Sequence, residues 1–537
     1  MCGTTDQATA TTMATTTRER KRVVISGAGP AGLLLASLLL QKNEEPSCNV
    51  TYDVTLLDGR QDYGAFTKEE LQKNHRSWML GLADHGMDAI KTLPALYHNY
   101  VKGEGIKVRE FVIYLGTRKI TQTTDAFDAA SKLKASDTSR EGGASVNQYP
   151  EAFIVDRNFV VAAIARYVRE THENDPHYTA MYSTKCQYVD YEHKRVLVRN
   201  TESPQDEHYI DYDLLIGCDG VRSTVREALI KRHSNFSCES TDIFQEFKQL
   251  HLKTPKDVSK CALSVLPDIF PYCQGICLPE TGDLVNVGIG VPRNNFDKLP
   301  EELKSDDYTV VAEYVKKNFK AFELEDYDDF AKQWVNQRWN QTGMVHCNFY
   351  HSLQTSIVIM GDAAHATSPS IGMGMNTALR DAQIFSELLT ETNDSFEKAL
   401  PLFSKARVKE GNALSDLAMH LYCMDKTQQF KETIHQVVRG FLFSKFPRFV
   451  DEHPFTMIGR RGVALSDAYE QAVKQGITGK HMAINNKIRT EYFEQNSGMV
   501  KTASQSKSSS TQSKLLFGAG TLAAVAAYVY QYVLSPV

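Results

Sequence analysis

The sequence predicts an α/β fold, and three observations predict it. Apolar strand-like runs near residues 21–26, 213–217 and 356–360 each end in a glycine-bearing turn and lead into a helix. Between them lie runs such as REFVIYLG and LVNVGIGV, which read as strands of a second, mixed sheet. Residues 393–500 read as helical, and 537 residues exceed what one compact core organises, so at least two packed domains are expected.

The first run, KRVVIS, passes directly into Gly27-Ala-Gly29-Pro-Ala-Gly32 and the apolar helix LLLASLLLQK. Gly27 permits the tight turn, Gly29 lets a pyrophosphate approach the backbone, and Gly32 lets helix and strand pack closely. The phosphates then lie at a helix N-terminus, where free N–H groups and the dipole favour an anion. A second strand, DVTLL, ends at Asp58, 26 residues beyond Gly32, where a carboxylate suits an adenosine ribose. This Rossmann-like unit does not by itself separate FAD from NAD.

The second run is DLLIGCDGVRSTVR, which delivers Asp219-Gly220 and then a helix start at Ser223. The third is SIVIMGDAAHATSPSIGMGMNTALRD, where a strand ends in Gly361-Asp362 and a glycine-containing loop opens a helix. Taken alone, each is also an ordinary strand-turn-helix crossover in which an aspartate caps the helix. The helix start from Gly372 through Gly374 and Met375 to Asn376 presents its positive dipole end to whatever lies beyond it.

In this order and separation the three motifs resemble the class A flavoprotein monooxygenases, the p-hydroxybenzoate hydroxylase group. That resemblance implies FAD held by Gly27, Gly29, Gly32 and Asp58 at its ADP half, with Asp362 at the ribitol. Asp219 and Gly220, with Arg222 and Arg226 nearby, would serve both FAD and NADPH, and Arg157 in FIVDRNFVVAAI would lie near the flavin. No second G-x-G-x-x-G follows a strand in the sequence, in keeping with a family that binds NADPH without a separate Rossmann domain. The implied chemistry is carried by the flavin: hydride from NADPH, O2 capture as a C4a-hydroperoxide, and attack on an aromatic ring. His365, beside the ribitol turn, reads as structural rather than as a base.

Within that class the chain is most similar to the kynurenine 3-monooxygenase family. Likeness in NHRSWMLGLADHGMDAIKTL, in FKQLHL and in LPLFSKARVKEGNALSDLAMHLYCMD carries over Arg76, Asn376 and Tyr422 as contacts to a substrate amino acid. An arginine pairs with a carboxylate, while tyrosine and amide supply neutral hydrogen bonds. Two features depart from the family: Arg380 stands where an acidic residue is expected, and Ser370-Ile371 replace two phenylalanines. The alternative reading is a flavin epoxidase or reductase acting on a lipophilic, membrane-derived substrate.

The expected organisation is a disordered leader over 1–19 and an FAD domain in three pieces, 20–95, 150–228 and 340–392. A substrate domain occupies 96–149 and 229–339, with a polar loop at 123–148. A helical region over 393–500 follows, then a linker over 501–514. Residues 515–534, LLFGAGTLAAVAAYVYQYVL, carry no charge, and 20 helical residues span roughly 30 Å, a bilayer core. A transmembrane tail anchor is therefore expected, in the mitochondrial outer membrane or the endoplasmic reticulum. A net charge of -5 gives no basic excess for nucleic acid. Cys273 and Cys277 alone make too small a cluster for a metal site, so none is expected there.

Overall fold

The computed structural model describes residues 18–74, 77–123 and 153–499. Two six-stranded sheets organise it. Twelve strands matter here: β1 (Glu19–Ser26), β2 (Val50–Leu57), β3 (Glu110–Leu115), β4 (Arg118–Thr123), β5 (Tyr178–Met181) and β6 (Leu214–Gly217). They continue with β7 (Gln245–Lys253), β8 (Ala262–Phe270), β9 (Cys273–Glu280), β10 (Leu284–Pro292), β11 (His351–Ser352) and β12 (Ile357–Ile359).

The first sheet has the order β11-β12-β6-β1-β2-β5. It is parallel apart from the short β11 at its edge. Val23, Val24 and Ile25 of β1 are buried on both faces, as a central parallel strand requires. Helix α1 (Pro30–Glu44) covers the sheet with Leu33, Leu34, Leu35 and Leu39, all essentially without solvent exposure. Truncating one of these leucines to alanine costs about 2–5 kcal/mol.

The second sheet has the order β7-β10-β9-β8-β3-β4 and is antiparallel except where β8 meets β3. The alternation in FKQLHL sorts β7 into two faces. Leu250 and Leu252 enter the core under helix α5 (Tyr327–Asn336), where Trp334 stacks on Phe330. Lys248 follows them inward, donating to the Trp334 carbonyl between the rings of Trp334 and Trp339. Phe247 and His251 face the other way: Phe247 meets the Trp78 ring edge-on at 4.8 Å, and His251 sits 2.8 Å from Glu280.

Further helices complete the frame: α2 (Asp84–Lys91), α3 (Arg157–His172), α4 (Thr224–Arg232), α6 (Gly374–Glu391), α7 (Phe396–His420), α8 (Lys426–Lys445) and α9 (Ile477–Met499).

One expectation is corrected. No helix among the described residues is long and apolar enough to cross a membrane, so the expected transmembrane helix is not part of the described α/β fold. The tail at 515–534, on which that expectation and the membrane localisation rested, lies outside the described residues. The expected leader up to residue 17, the linker, the polar loop beyond Thr123 and Arg76 also lie outside the described residues.

Candidate functional site

The three glycine-bearing turns lie side by side. β12, β6 and β1 are adjacent parallel strands, so Gly361-Asp362, Asp219-Gly220 and Gly27 all emerge at one carboxyl edge. Open α/β sheets bind ligands at such an edge. The turns are stitched together there: Cys218 N–H donates to Ser26 O at 2.7 Å, and Met360 N–H donates to Gly217 O at 3.0 Å.

Gly27 has φ +112°, and a Cβ on it would stand 2.2 Å from the Cys218 carbonyl oxygen. A Cβ on Gly32 would stand 2.0 Å from the Gly27 carbonyl oxygen, so helix and strand touch there as the motif expects. Gly29 differs: nothing lies within 4 Å of the position its Cβ would take. That space fronts the N-terminus of α1, which has no side-chain cap. The free N–H groups and open cradle fit a pyrophosphate.

Asp58 is buried at the end of β2. Its Oδ2 accepts from the Ala28 N–H at 2.8 Å and from Arg60 at 2.9 Å, while Oδ1 accepts from the Arg60 backbone and side chain. Ala28, Asp58, Arg60, Tyr63, Val161 and Tyr182 line a recess at this point. A ribose hydroxyl entering the recess would share the carboxylate with Arg60.

Asp219 is also buried, and burial pushes its carboxyl above the ordinary range, against hydrogen bonds from Ser223 and the backbone. Its Oδ2 takes the Thr224 N–H at 2.8 Å, while Oδ1 is buried without a partner among the described residues. An orphaned acceptor beside an open glycine, Gly220 at φ +79°, fits a cofactor hydroxyl. Arg226 bolts two turns together by donating to Ala363 O at 2.8 Å and to Val221 O at 2.6 Å. Asp362 is exposed at the start of its short helix.

Behind the Gly361 turn sits a buried ion cluster that sequence reasoning did not assemble. Asp381 has no solvent exposure. It accepts from Gly361 N–H at 2.8 Å, lies 2.6 Å from His365 Nε2, and takes the Arg407 Nε–H at 2.6 Å. Burial alone would push its carboxyl up, but His365 and Arg407 overcome that and hold it at about 2. His365 is thus committed to structure, as its place beside the turn suggests. The cluster fixes Gly361 at φ +58° and so aims Asp362. The only signal in the sequence was an acid twenty residues beyond Gly361.

The segment opening α6 has Gly372 at φ +67° and no side-chain cap on the helix. Met375 and Asn376 are buried. The Asn376 amide is engaged three times: Oδ1 accepts from Ala83 N–H at 2.8 Å, and Nδ2 donates to Gly81 O and Gly372 O at 2.8 and 3.1 Å. It ties the α6 start to the strand before α2. Arg380, one turn on, donates to Gln383 Oε1 at 2.6 Å, and it lies near His85, whose imidazole is pulled down by burial and then by this arginine. Ser370 donates to Ala418 O at 3.3 Å, and Ile371 packs with Met373 and Leu417.

Tyr422 follows α7. Its hydroxyl is buried without a partner among the described residues, and burial pushes it up. Arg157 opens α3, its backbone N–H on Trp78 O at 3.1 Å, close to the Trp78–Phe247 pair. That aromatic pair was not foreseen, although the period-two pattern of FKQLHL places Phe247 on the same face as His251.

Comparison with known proteins agrees with this geometry. A family model described as an FAD binding domain matches residues 325–397, which carry the Gly361-Asp362 turn and the start of α6. The chain is 24% identical over 449 residues to kynurenine 3-monooxygenase of Caenorhabditis briggsae, covering 79% of this chain and 87% of that one. With the Neurospora crassa kynurenine 3-monooxygenase it shares 26% over 435 residues, covering 75% and 78%. Among solved structures, 2-methyl-3-hydroxypyridine-5-carboxylic acid oxygenase superposes with a TM-score of 0.56 at 15% identity, covering 83% of this chain and 100% of that one.

Proposed function

We propose that the chain is an FAD-dependent monooxygenase of class A, an aromatic hydroxylase that draws its electrons from NADPH, and that its substrate is L-kynurenine or a close aromatic α-amino acid. The observation that carries the substrate reading is similarity to kynurenine 3-monooxygenases over most of both chains. The unpartnered Tyr422 hydroxyl supports it, because a buried donor without a partner is relieved by an incoming carboxylate or carbonyl.

Bound FAD supplies hydride acceptance and O2 activation. The chain's own residues hold, orient and shield. Gly29 and the uncapped start of α1 receive the pyrophosphate, Asp58 the adenosine ribose, and Asp362, set by Asp381, the ribitol. The uncapped start of α6, Gly372 to Asn376, would offer its free N–H groups to the ring system and stabilise negative charge there. Asn376 acts as a positioning residue that fixes this helix start, while Arg76 and Tyr422 take the substrate's polar end.

The test is NADPH oxidation by the FAD-loaded enzyme with L-kynurenine, against L-tryptophan, anthranilate and no substrate. Stimulation by kynurenine with formation of a hydroxylated product is the expected result. Equal rates with and without kynurenine, and peroxide as the only product of O2, would remove the substrate assignment.

A further inference from the structure

Two thiols meet where the chain passes between the two sheets. The strand Cys238–Thr241 follows α4 and precedes β7, and the strand Met344–Cys347 follows α5 and precedes β11. The two strands pair antiparallel, with Cys238 opposite Cys347 and Thr241 opposite Met344. One pair further out, Asn348 N–H donates to Ser237 O at 3.2 Å, and Ser237 N–H donates to Asn348 Oδ1 at 2.9 Å. Ladder bonds alternate along an antiparallel pair. Cys238 and Cys347 are therefore a pair of the non-hydrogen-bonded kind, in which facing side chains stand closest. The Cα atoms of such a pair are about 4.5 Å apart, inside the range of about 4.4–6.8 Å that a disulfide spans.

The two sulfurs are not equivalent. Cys347 is 1% exposed, whereas Cys238 is only half-buried. The Cys347 thiol donates a hydrogen bond to the Cys238 sulfur, which lowers Cys238 and, together with burial, raises Cys347. Burial opposes the lowering of Cys238, and the Arg226 guanidinium adds to it. Arg226 is itself fixed beside the pair by its bonds to Ala363 O and Val221 O. Burial has the opposite result at Cys48, Cys186, Cys218, Cys273, Cys277 and Cys423, whose thiols it pushes up. A thiolate beside a cation is the nucleophilic form of cysteine, and a second thiol in contact captures its first oxidation product.

We propose that Cys238 is a peroxide-reactive thiol and that Cys347 resolves it as an intrachain disulfide. The Cys238 thiolate attacks one oxygen of hydrogen peroxide, the O–O bond breaks, and hydroxide leaves, so that Cys238 becomes a sulfenic acid. The Cys347 sulfur then attacks the Cys238 sulfur. The S–O bond breaks, the hydroxyl leaves with the Cys347 proton as water, and the S–S bond forms. The hydroxide from the first step takes up the proton that Cys238 had given to solvent. Two thiols thus lose two electrons, and one peroxide is reduced to two waters.

The bridge removes the negative charge that faces Arg226, the residue joining the Asp219-Gly220 and Gly361-Asp362 turns. It also ties the chain entering β7 to the chain entering β11 and β12. The site lies outside the groups assigned to substrate, and its chemistry does not depend on the reaction proposed above.

The full chain, purified with FAD bound and reduced with dithiothreitol that is then removed, is treated with a small excess of hydrogen peroxide. It is then alkylated and digested without reduction, and the peptides are weighed by mass spectrometry. The Cys238 and Cys347 peptides are expected as one linked mass that dithiothreitol separates. In Cys347→Ser the sulfenic acid has no resolving partner, so dimedone should label Cys238 about tenfold more than any other cysteine. Cys238→Ser should form no linked peptide. Retained flavin absorbance reports that each variant is folded, and the wild-type digest decides alone should a variant not fold. Recovery of Cys238 and Cys347 as separate alkylated peptides after peroxide would overturn the proposal. Dimedone labelling that falls first on another cysteine would overturn the assignment of Cys238 as the reactive thiol.

Discussion

The cofactor edge and the substrate side of this molecule are built by different means. At the cofactor edge, backbone does the work: Gly27, Gly220, Gly361 and Gly372 take positive φ, and helix starts are left uncapped. The charged groups there are mostly committed, Asp58 to Arg60 and Ala28, Asp381 to His365, Arg407 and Gly361. On the side proposed for the substrate, Tyr422 keeps a buried hydroxyl without a partner among the described residues. Damage at the edge should therefore show as lost cofactor or stability, and damage on the other side as altered KM in a stable holoenzyme.

The largest effect is expected from Gly27→Ala. The new Cβ would collide with the Cys218 carbonyl, and an L-residue at φ +112° is strained whatever the space. Strain of this kind costs about 1–3 kcal/mol before the collision is added. The variant should be recovered with less than about a hundredth of the native FAD affinity, if it folds. Full flavin occupancy would show that the turn is not where the dinucleotide is held.

Asp381→Asn comes next, because it leaves Arg407 buried without its carboxylate, at a cost of about 3–5 kcal/mol. The pH dependence has a definite sign. The folded carboxyl, held at about 2, lies below its ordinary 3.8, so its contribution is present above that value and fades as pH falls from 3.8 toward 2. Denaturant unfolding should show the wild-type advantage whole at neutral pH and shrinking below pH 4. An advantage that grows on acidification would contradict the cluster.

Gly29→Ala sharpens the comparison. Its Cβ meets no protein atom within 4 Å, so stability should change by less than about 1 kcal/mol, while FAD affinity falls about tenfold or more. Fluorescence titration of FAD alongside thermal unfolding separates the two. Tyr422→Phe should be the mildest. It removes one neutral hydrogen bond to substrate, about 1 kcal/mol, so KM rises about fivefold with kcat and Tm little changed. An unaltered KM would take Tyr422 out of the pocket.

The same contrast explains what the amino-acid sequence made legible. The three turns could be read because their chemistry demands glycine at fixed distance from a strand end, and a carboxylate at the end of the next strand. Their alignment on β1, β6 and β12 follows once a parallel sheet is assumed. The Asp381 cluster could not be read, since its partners lie 16 and 26 residues away and each residue is unremarkable alone. Asn376 and Arg380 share α6, yet one is spent on the backbone and the other pairs along the helix with Gln383. The expected membrane helix falls at 515–534, outside the described residues, and no described helix is long and apolar enough to cross a membrane.

On the function proposed above, this fold inserts one atom of O2 into an aromatic amino acid. The most direct measurement is turnover of L-kynurenine by the FAD-loaded enzyme with NADPH under 18O2. The expected result is a hydroxylated product carrying a single 18O, formed one-for-one with NADPH consumed. A product without label, or NADPH oxidation that yields only labelled peroxide, would contradict it.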